Sequence, residues 1–122
     1  MNDVYNQAQE VVEAPRYSCA LGGAYMAALA INKTIPILHA GPGCGFLQTL
    51  GFGYGSGEQG VGYIGGNATP SSNLSEKEVV YGGENRLRDQ IKGTLEIVKG
   101  DLYAVISGCI PAMIGDDVDS IV

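Results

Sequence analysis

A short apolar run meets a glycine-rich turn in residues 35–45, IPILHAGPGCG. The apolar run, Ile35–His39, predicts a buried β-strand with Pro36 at its start, where a strand tolerates proline. Residues 40–45 predict a forced turn, and Phe46–Leu50 a short helical stretch after it. A cysteine, Cys44, is thus expected just beyond the carboxyl end of a strand.

The segments on either side of this stretch alternate between helical and strand patterns. The Ala-rich run LGGAYMAALAIN predicts a buried helix before the strand, and LYAVIS predicts a second buried strand. The order predicts an α/β fold, a three-layer partial parallel sheet with flanking helices. The predicted elements are helices over 21–32 and 84–98, strands over 35–39 and 102–107, a loop over 110–113, and a helix opened by Gly115-Asp116-Asp117.

The remaining segments are poor in regular patterns. Residues 1–18 predict an extended N-terminal arm, and the glycine-dense Gly51–Gly66 predicts a loop that continues to Ser75. Two strands do not bury both faces of a parallel sheet. We therefore expect residues 19–122 to be an α/β region truncated at its C-terminal end, the N-terminal part of a larger subunit.

Composition excludes several classes of function. The chain has 122 residues and a net charge of −6, and its seven basic residues are scattered, so no basic stripe for nucleic acid is present. The apolar runs are too short to span a membrane, and no secretion signal is visible, which predicts a cytoplasmic protein. Three cysteines form an odd set without an export signal, which disfavours a disulfide framework.

The cysteines lie where regular elements meet loops. Cys44 and Cys109 each follow a predicted strand, and Cys19 precedes the first helix. Groups beyond the carboxyl ends of parallel strands converge in one crevice, so these thiols are candidate metal ligands. Buried free cysteines acting as small hydrophobic residues are the competing interpretation. The chain lacks the closely paired ligands of structural zinc, and three separated thiolates suit an iron–sulfur cluster that a fourth ligand or another subunit completes.

Three segments in order resemble motifs of the nitrogenase component 1 family. HAGPGC at 39–44 resembles its HGPxGC turn, EKEVVYGGE at 76–84 its E-x-D-x-V-F-G-G segment, and CIPAMIGDD at 109–117 its C-x-x-x-x-I-G-D-D segment. Cys19 lies 25 residues before Cys44, and Cys109 lies 65 after it, separations similar to those of the family's cluster cysteines.

This resemblance implies that Cys19, Cys44 and Cys109 bind an iron–sulfur cluster, either half of a larger P-cluster-like one or most of a [4Fe–4S] one. It implies an oligomer with a paired α/β-type sister subunit, and an ATP-hydrolysing iron protein as the source of electrons for a substrate site. The chain would then be part of a nitrogenase-like oxidoreductase, inactive as a 122-residue piece. The alternatives are a non-catalytic scaffold that assembles a metallocluster, and a paralogue that keeps the cysteines without a cluster.

Other polar residues have structural explanations that we prefer to functional ones. His39 lies at the end of a predicted buried strand. We therefore expect its imidazole to be hydrogen-bonded to nearby backbone rather than to bind a metal. Asp116 and Asp117 are expected to cap a helix and to lie in its first turn, rather than to bind a metal. The G-x-G-x-x-G matches within Gly51–Gly66 lack a flanking strand and helix, so they do not indicate a dinucleotide site.

Overall fold

The computed structural model describes residues 19–53 and 69–122. For residues 49–53 it describes the main chain alone. The predicted arm, 1–18, and most of the predicted glycine loop lie outside these residues. Along the described residues the elements are α1 (Ala20–Leu29), β1 (Thr34–His39), α2 (Pro42–Gly53), α3 (Glu76–Tyr81), α4 (Glu84–Ile97), β2 (Leu102–Ser107) and α5 (Cys109–Ile114). None of the helices within these two ranges is long and apolar enough to cross a membrane.

The two strands pair in parallel, which confirms the predicted α/β class. Their register runs from Thr34 opposite Leu102 to His39 opposite Ser107, so both strands end at the same edge. A further segment, residues 70–74, runs beside β1: Ser72 N–H donates to the Leu38 carbonyl, and Ser71 forms an isolated parallel bridge with Leu38. The sequence predicted only loop for this segment.

The core lies between α1 and the sheet. Leu21, Tyr25 and Ala28 recur at helical spacing on one face of α1 and are buried against Leu38 and Ile106. Burying one such Leu or Ile side chain fully stabilises the fold by about 1.5–3 kcal/mol. Every residue of β1 is buried, whereas β2 is mostly half-buried or exposed.

The helix after β1 begins earlier and ends later than predicted. A turn through residue 45 and a helix over 46–50 were expected, but α2 spans Pro42–Gly53. Proline suits the first position of a helix, because its φ is already helical and an N–H there has no intrahelical acceptor. Cys44 therefore lies in the first turn of a helix, and residues 51–53, assigned to the glycine loop, are helical.

The chain after β2 also differs from the prediction. Residues 110–113 are helical within α5 rather than a loop, because Pro111 is third in the helix, where its missing N–H costs nothing. The helix ends at Gly115, whose φ of 80° lies in the left-handed region. The predicted helix opened by Gly115-Asp116-Asp117 is therefore wrong, and those residues lead into a turn.

The predicted helix over 84–98 is confirmed as α4, Glu84–Ile97. Within α4, Leu87 is fully buried, whereas Leu95 is 45% exposed. Glu76–Tyr81, which two glycines separate from α4, forms α3, a helix that the sequence did not predict.

Candidate functional site

The three cysteines all lie at the starts of helices. Cys19 is the N-cap residue of α1 and is exposed. Cys44, in the first turn of α2, is half-buried and packs against the core. Cys109 is the first residue of α5 and is exposed. Helix N-termini present free N–H groups and positive potential, which favour anionic ligands such as thiolate or sulfide.

The backbone segments that carry these cysteines are interlocked. Gly108, immediately before Cys109, donates its N–H to the His39 carbonyl at 2.9 Å. A Cβ at position 108 would lie 2.9 Å from the Ala40 Cβ and 3.1 Å from the Leu21 Cδ1. Leu21 follows Cys19 by two residues and Ala40 precedes Cys44 by four. Because glycine has no side chain, all three segments can come into direct contact at position 108.

A second contact joins the turn before Cys44 to the helix of Cys109. A Cβ at Gly41 would lie 3.1 Å from the Ile110 Cδ1, closer than ordinary packing. Glycine at this position lets α5 approach the main chain between β1 and α2. The segments of Cys44 and Cys109 therefore touch at two points, Gly108 and Gly41.

The Cys44 thiol is affected by burial and by the other two cysteines. Burial raises the pKa of the Cys44 thiol above its ordinary value, and the neighbouring Cys109 and then Cys19 raise it further. Burial disfavours a thiolate because it removes water, and neighbouring thiolates disfavour it by charge repulsion. Both effects act on Cys44, which lies in the first turn of α2 just beyond the carboxyl end of β1.

The donor set can be compared with the metals that thiolates bind. Within the part of the chain that the structure describes, no three His, Cys, Asp or Glu side chains gather closely enough to hold a single metal ion. An iron–sulfur cluster contains several irons, each taking its own thiolate, so its ligands need not meet at one point. Three soft donors on neighbouring segments at helix N-termini fit such a cluster better than a zinc ion.

A buried cluster of polar residues, which we call the His39 node, lies at the carboxyl end of β1. It comprises His39, Ser72, Gly83 and Asp116. Imidazole Nδ1 lies 2.9 Å from Ser72 Oγ, and Nε2 lies 3.0 Å from Asp116 Oδ2. Gly83 N–H donates to the Asp116 carboxylate at 3.0 Å. The His39 side chain is 0% exposed and that of Asp116 is 4% exposed.

Two predictions about these residues are wrong. His39 was expected to bond to nearby backbone, but its ring bonds to side chains 33 and 77 residues away. Asp116 was expected to cap a helix, but it accepts hydrogen bonds from His39 and Gly83 instead. Sequence reasoning missed Ser72 and Gly83 altogether. A signal existed only for Gly83, which belongs to one of the three family-like segments.

The chain is similar to known proteins over most of its length. The family model described as nitrogenase component 1 type oxidoreductase matches residues 19–122. The nitrogenase molybdenum-iron protein beta chain of Methanothermobacter thermautotrophicus is 27% identical over 96% of this chain and 24% of its own length. The nitrogenase vanadium-iron protein beta chain of Trichormus variabilis is 32% identical over 86% of this chain and 21% of its own length.

Relatives of a second kind also match. The nitrogenase iron-molybdenum cofactor biosynthesis protein NifE of Methanosarcina barkeri is 27% identical over 85% of this chain and 22% of its own length. Among solved structures, nitrogenase Cp1 at pH 6.5 superposes with a TM-score of 0.63 and 22% identity, over 91% of this chain and 23% of that one. This chain thus spans about a quarter of the length of the relatives it matches. By the match over residues 19–122, the chain belongs to the nitrogenase component 1 type oxidoreductase family.

Proposed function

We propose that this chain is the cluster-binding part of a nitrogenase-like reductase subunit, with Cys19, Cys44 and Cys109 as iron ligands. The observation that carries the proposal is the interlocking of the three cysteine-bearing segments through Gly108 at the shared edge of the sheet. The electrostatic effect of Cys109 and Cys19 on the Cys44 thiol supports it further. The cluster would be P-cluster-like or a [4Fe–4S] cluster.

The chain's own residues would set the environment of such a cluster. Cys44, half-buried against the core, provides a ligand whose thiolate is disfavoured without a positive partner. Iron supplies that positive charge when bound, and the same proximity that raises the pKa of this thiol then favours ligation. Electron relay from an ATP-hydrolysing iron protein to a substrate site is the role we assign to the cluster.

A sister subunit is part of the proposal. Three thiolates leave a four-thiolate cluster one ligand short. Large apolar side chains on the short helices α3 and α5 are exposed: Val80 by 71%, Tyr81 by 82% and Met113 by 86%. Exposed apolar surface of this kind suits a protein partner. An α/β-type sister chain that completes the cluster would also cover these side chains.

The second candidate function is a non-catalytic scaffold on which a metallocluster is assembled. It is favoured by the likeness to the cofactor biosynthesis protein NifE of Methanosarcina barkeri, which is 27% identical to this chain, as is the molybdenum-iron protein beta chain of Methanothermobacter thermautotrophicus. The two functions differ in whether the bound cluster is retained or passed on. Adding a cluster-free acceptor protein to the iron-loaded protein distinguishes them, since only a scaffold would lose its iron to the acceptor.

The ligand assignment is tested by iron and sulfide analysis of the full-length protein, purified without oxygen together with its co-purifying chains. We expect iron and sulfide in the unaltered protein, and loss of most of that iron in a Cys44→Ala variant, because losing one thiolate releases or converts the cluster. The matched control is Ser107→Ala, an exposed side chain at the same strand edge. Full iron content in Cys44→Ala would overturn the assignment.

A further inference from the structure

His39 holds both ends of the helix that begins with Cys109. Its carbonyl accepts from Gly108 N–H, just before α5, and its ring reaches Asp116, just after α5, at 3.0 Å. Helix α5 has only six residues, Cys109–Ile114. A helix this short has little stability of its own, so its position depends on tertiary contacts, and these two act at its ends.

The hydrogen bonds of the His39 node are all satisfied by one arrangement of protons. With a hydrogen on Nε2, the imidazole donates to Asp116 and accepts at Nδ1 from the Ser72 hydroxyl. The Ser72 oxygen in turn accepts from Ala40 N–H at 3.3 Å. Moving Asp116 leaves His39 Nε2 and the Gly83 N–H without their acceptor, which disfavours alternative arrangements of α5.

A catalytic serine–histidine–aspartate triad is the other function that these residue types suggest. It is excluded by burial, because Ser72 is 1% exposed and His39 is 0% exposed. No substrate reaches either side chain. The node instead connects the three family-like segments: His39 lies in the first, Gly83 in the second and Asp116 in the third.

We propose that His39 and Asp116 are positioning residues that fix Cys109 relative to Cys44, so that both thiols can ligate one cluster. The inference rests on the proposed function. His39 begins the turn to Cys44, and through Asp116 it locates the helix of Cys109, so one side chain couples the two ligands. Residues that orient metal ligands in this way affect metal affinity by about tenfold or more when they are changed.

The test uses four variants of the full-length protein with its co-purifying chains: Asp116→Asn, His39→Asn, His39→Gln and Ser72→Ala. Glutamine keeps a donor near the place of Nε2, the atom that faces Asp116. Asparagine keeps a polar group only near the place of Nδ1. Ser72→Ala removes a node hydrogen bond that does not involve α5, and so serves as the matched control.

The first readout needs no metal. After iron is removed, a fluorogenic bifunctional thiol reagent, dibromobimane, joins neighbouring cysteines in the folded protein. Trypsin places Cys19, Cys44 and Cys109 in separate peptides, Tyr17–Lys33, Thr34–Lys77 and one beginning at Gly100, so each joined pair is identified by mass. The Cys19–Cys44 product is an internal control, because neither cysteine belongs to α5, the helix that the node is proposed to place. The second readout is iron retention against a chelator.

We expect Asp116→Asn and His39→Asn to lose most of the Cys44–Cys109 product and to release iron about tenfold faster. His39→Gln and Ser72→Ala should keep both. Circular dichroism checks that each variant is folded. Should Asp116→Asn not fold, the His39 pair decides, and equal yields from His39→Asn and His39→Gln overturn the inference.

The outcomes separate this inference from the proposed function. Unchanged cross-linking and iron retention in the folded node variants, with iron lost in Cys44→Ala, would refute the positioning role and leave the ligand assignment intact. Iron kept in Cys44→Ala would refute the ligand assignment, and the cross-linking readout would still decide whether the node places Cys109.

Discussion

The two ends of the parallel sheet carry pairs of similar geometry and opposite burial. At the carboxyl end, His39 Nε2 lies 3.0 Å from Asp116 Oδ2, with side chains 0% and 4% exposed. At the amino end, Lys33 Nζ lies 3.2 Å from Asp101 Oδ2, with side chains 64% and 71% exposed. A main-chain hydrogen bond joins the segments at each end as well, from Gly108 to His39 and from Asp101 to Lys33.

The difference shows that distance alone does not set the energetic weight of a pair. Water and salt screen the Lys33–Asp101 pair, and two long side chains lose entropy in forming it. The His39–Asp116 pair is shielded from water, and Gly83 and Ser72 hold its remaining polar atoms. The buried end is also the end that carries Cys44 and Cys109.

The largest expected effect is the loss of the buried pair. Asp116→Asn should lower the free energy of unfolding by about 3 kcal/mol. The Gly83 N–H lies 3.0 Å from both carboxylate oxygens, so the amide places an NH2 donor against it in either orientation, and the remaining neutral oxygen accepts more weakly from His39. Urea unfolding followed by circular dichroism measures the change.

The matched control makes the same substitution at the other end of the sheet. Asp101→Asn should change the free energy of unfolding by less than about 0.5 kcal/mol, as is usual for an exposed pair. Equal effects of the two substitutions would show that burial does not separate the two ends.

A smaller effect is expected from crowding the node. In Gly83→Ala the added Cβ would lie 2.6 Å from Asp116 Oδ2 and 2.7 Å from Leu74 Cδ2. Because His39 holds the carboxylate, relaxation is restricted, and we expect a loss of about 2 kcal/mol in the free energy of unfolding. The φ of Gly83 is −101°, so backbone strain does not contribute.

Gly93→Ala is the control for this substitution. Gly93 lies within α4, and nothing is within 4 Å of its added Cβ. Alanine there should raise the free energy of unfolding by about 0.5–1 kcal/mol through its better helix propensity. The account predicts opposite signs for the two glycines, and a stabilising Gly83→Ala would contradict the close approach at the node.

The smallest effect is expected at a third, exposed carboxylate. Hydrogen bonds from the Ser75 hydroxyl and then its backbone N–H hold the pKa of Glu78 below its ordinary value, in a capping box at the start of α3. Since the folded-state pKa is the lower one, this contribution is present above the unfolded-state pKa and is lost as pH falls through the folded-state pKa.

The measurement compares the melting temperatures of the unaltered protein and Glu78→Gln between about pH 6 and pH 3. We expect a small difference at the upper pH that shrinks on acidification. A difference that grows as pH falls would contradict the direction of the pKa shift.

The sequence predicted those elements that local patterns determine. Apolar runs identified β1 and β2, and helical spacing identified α1 and α4. Short helices were missed where proline and glycine suggested a turn. Pro42 begins α2 and Pro111 lies in the first turn of α5, positions where the helix does not need an N–H.

The candidate site was predictable in part. Parallel strands end at one edge, so the placement of Cys44 and Cys109 near each other followed from the topology. The His39 node did not, because Asp116 lies 77 residues from His39 and Ser72 lies 33 away. Both residues look like ordinary turn residues in the sequence, and only the folded chain brings them to the imidazole.

The central claim, that the three cysteines share one cluster, is tested most directly by thiol protection in the full-length, oxygen-free protein. Cys19 and Cys109 are exposed, so without a ligand iodoacetamide should modify them readily, and Cys44 more slowly because it is half-buried and its pKa is raised. The account predicts that all three cysteines are protected before iron is removed by a chelator and that all three become reactive afterwards, as measured by mass on their separate tryptic peptides. Rapid modification of Cys19 and Cys109 at the same rate before and after chelation would contradict it.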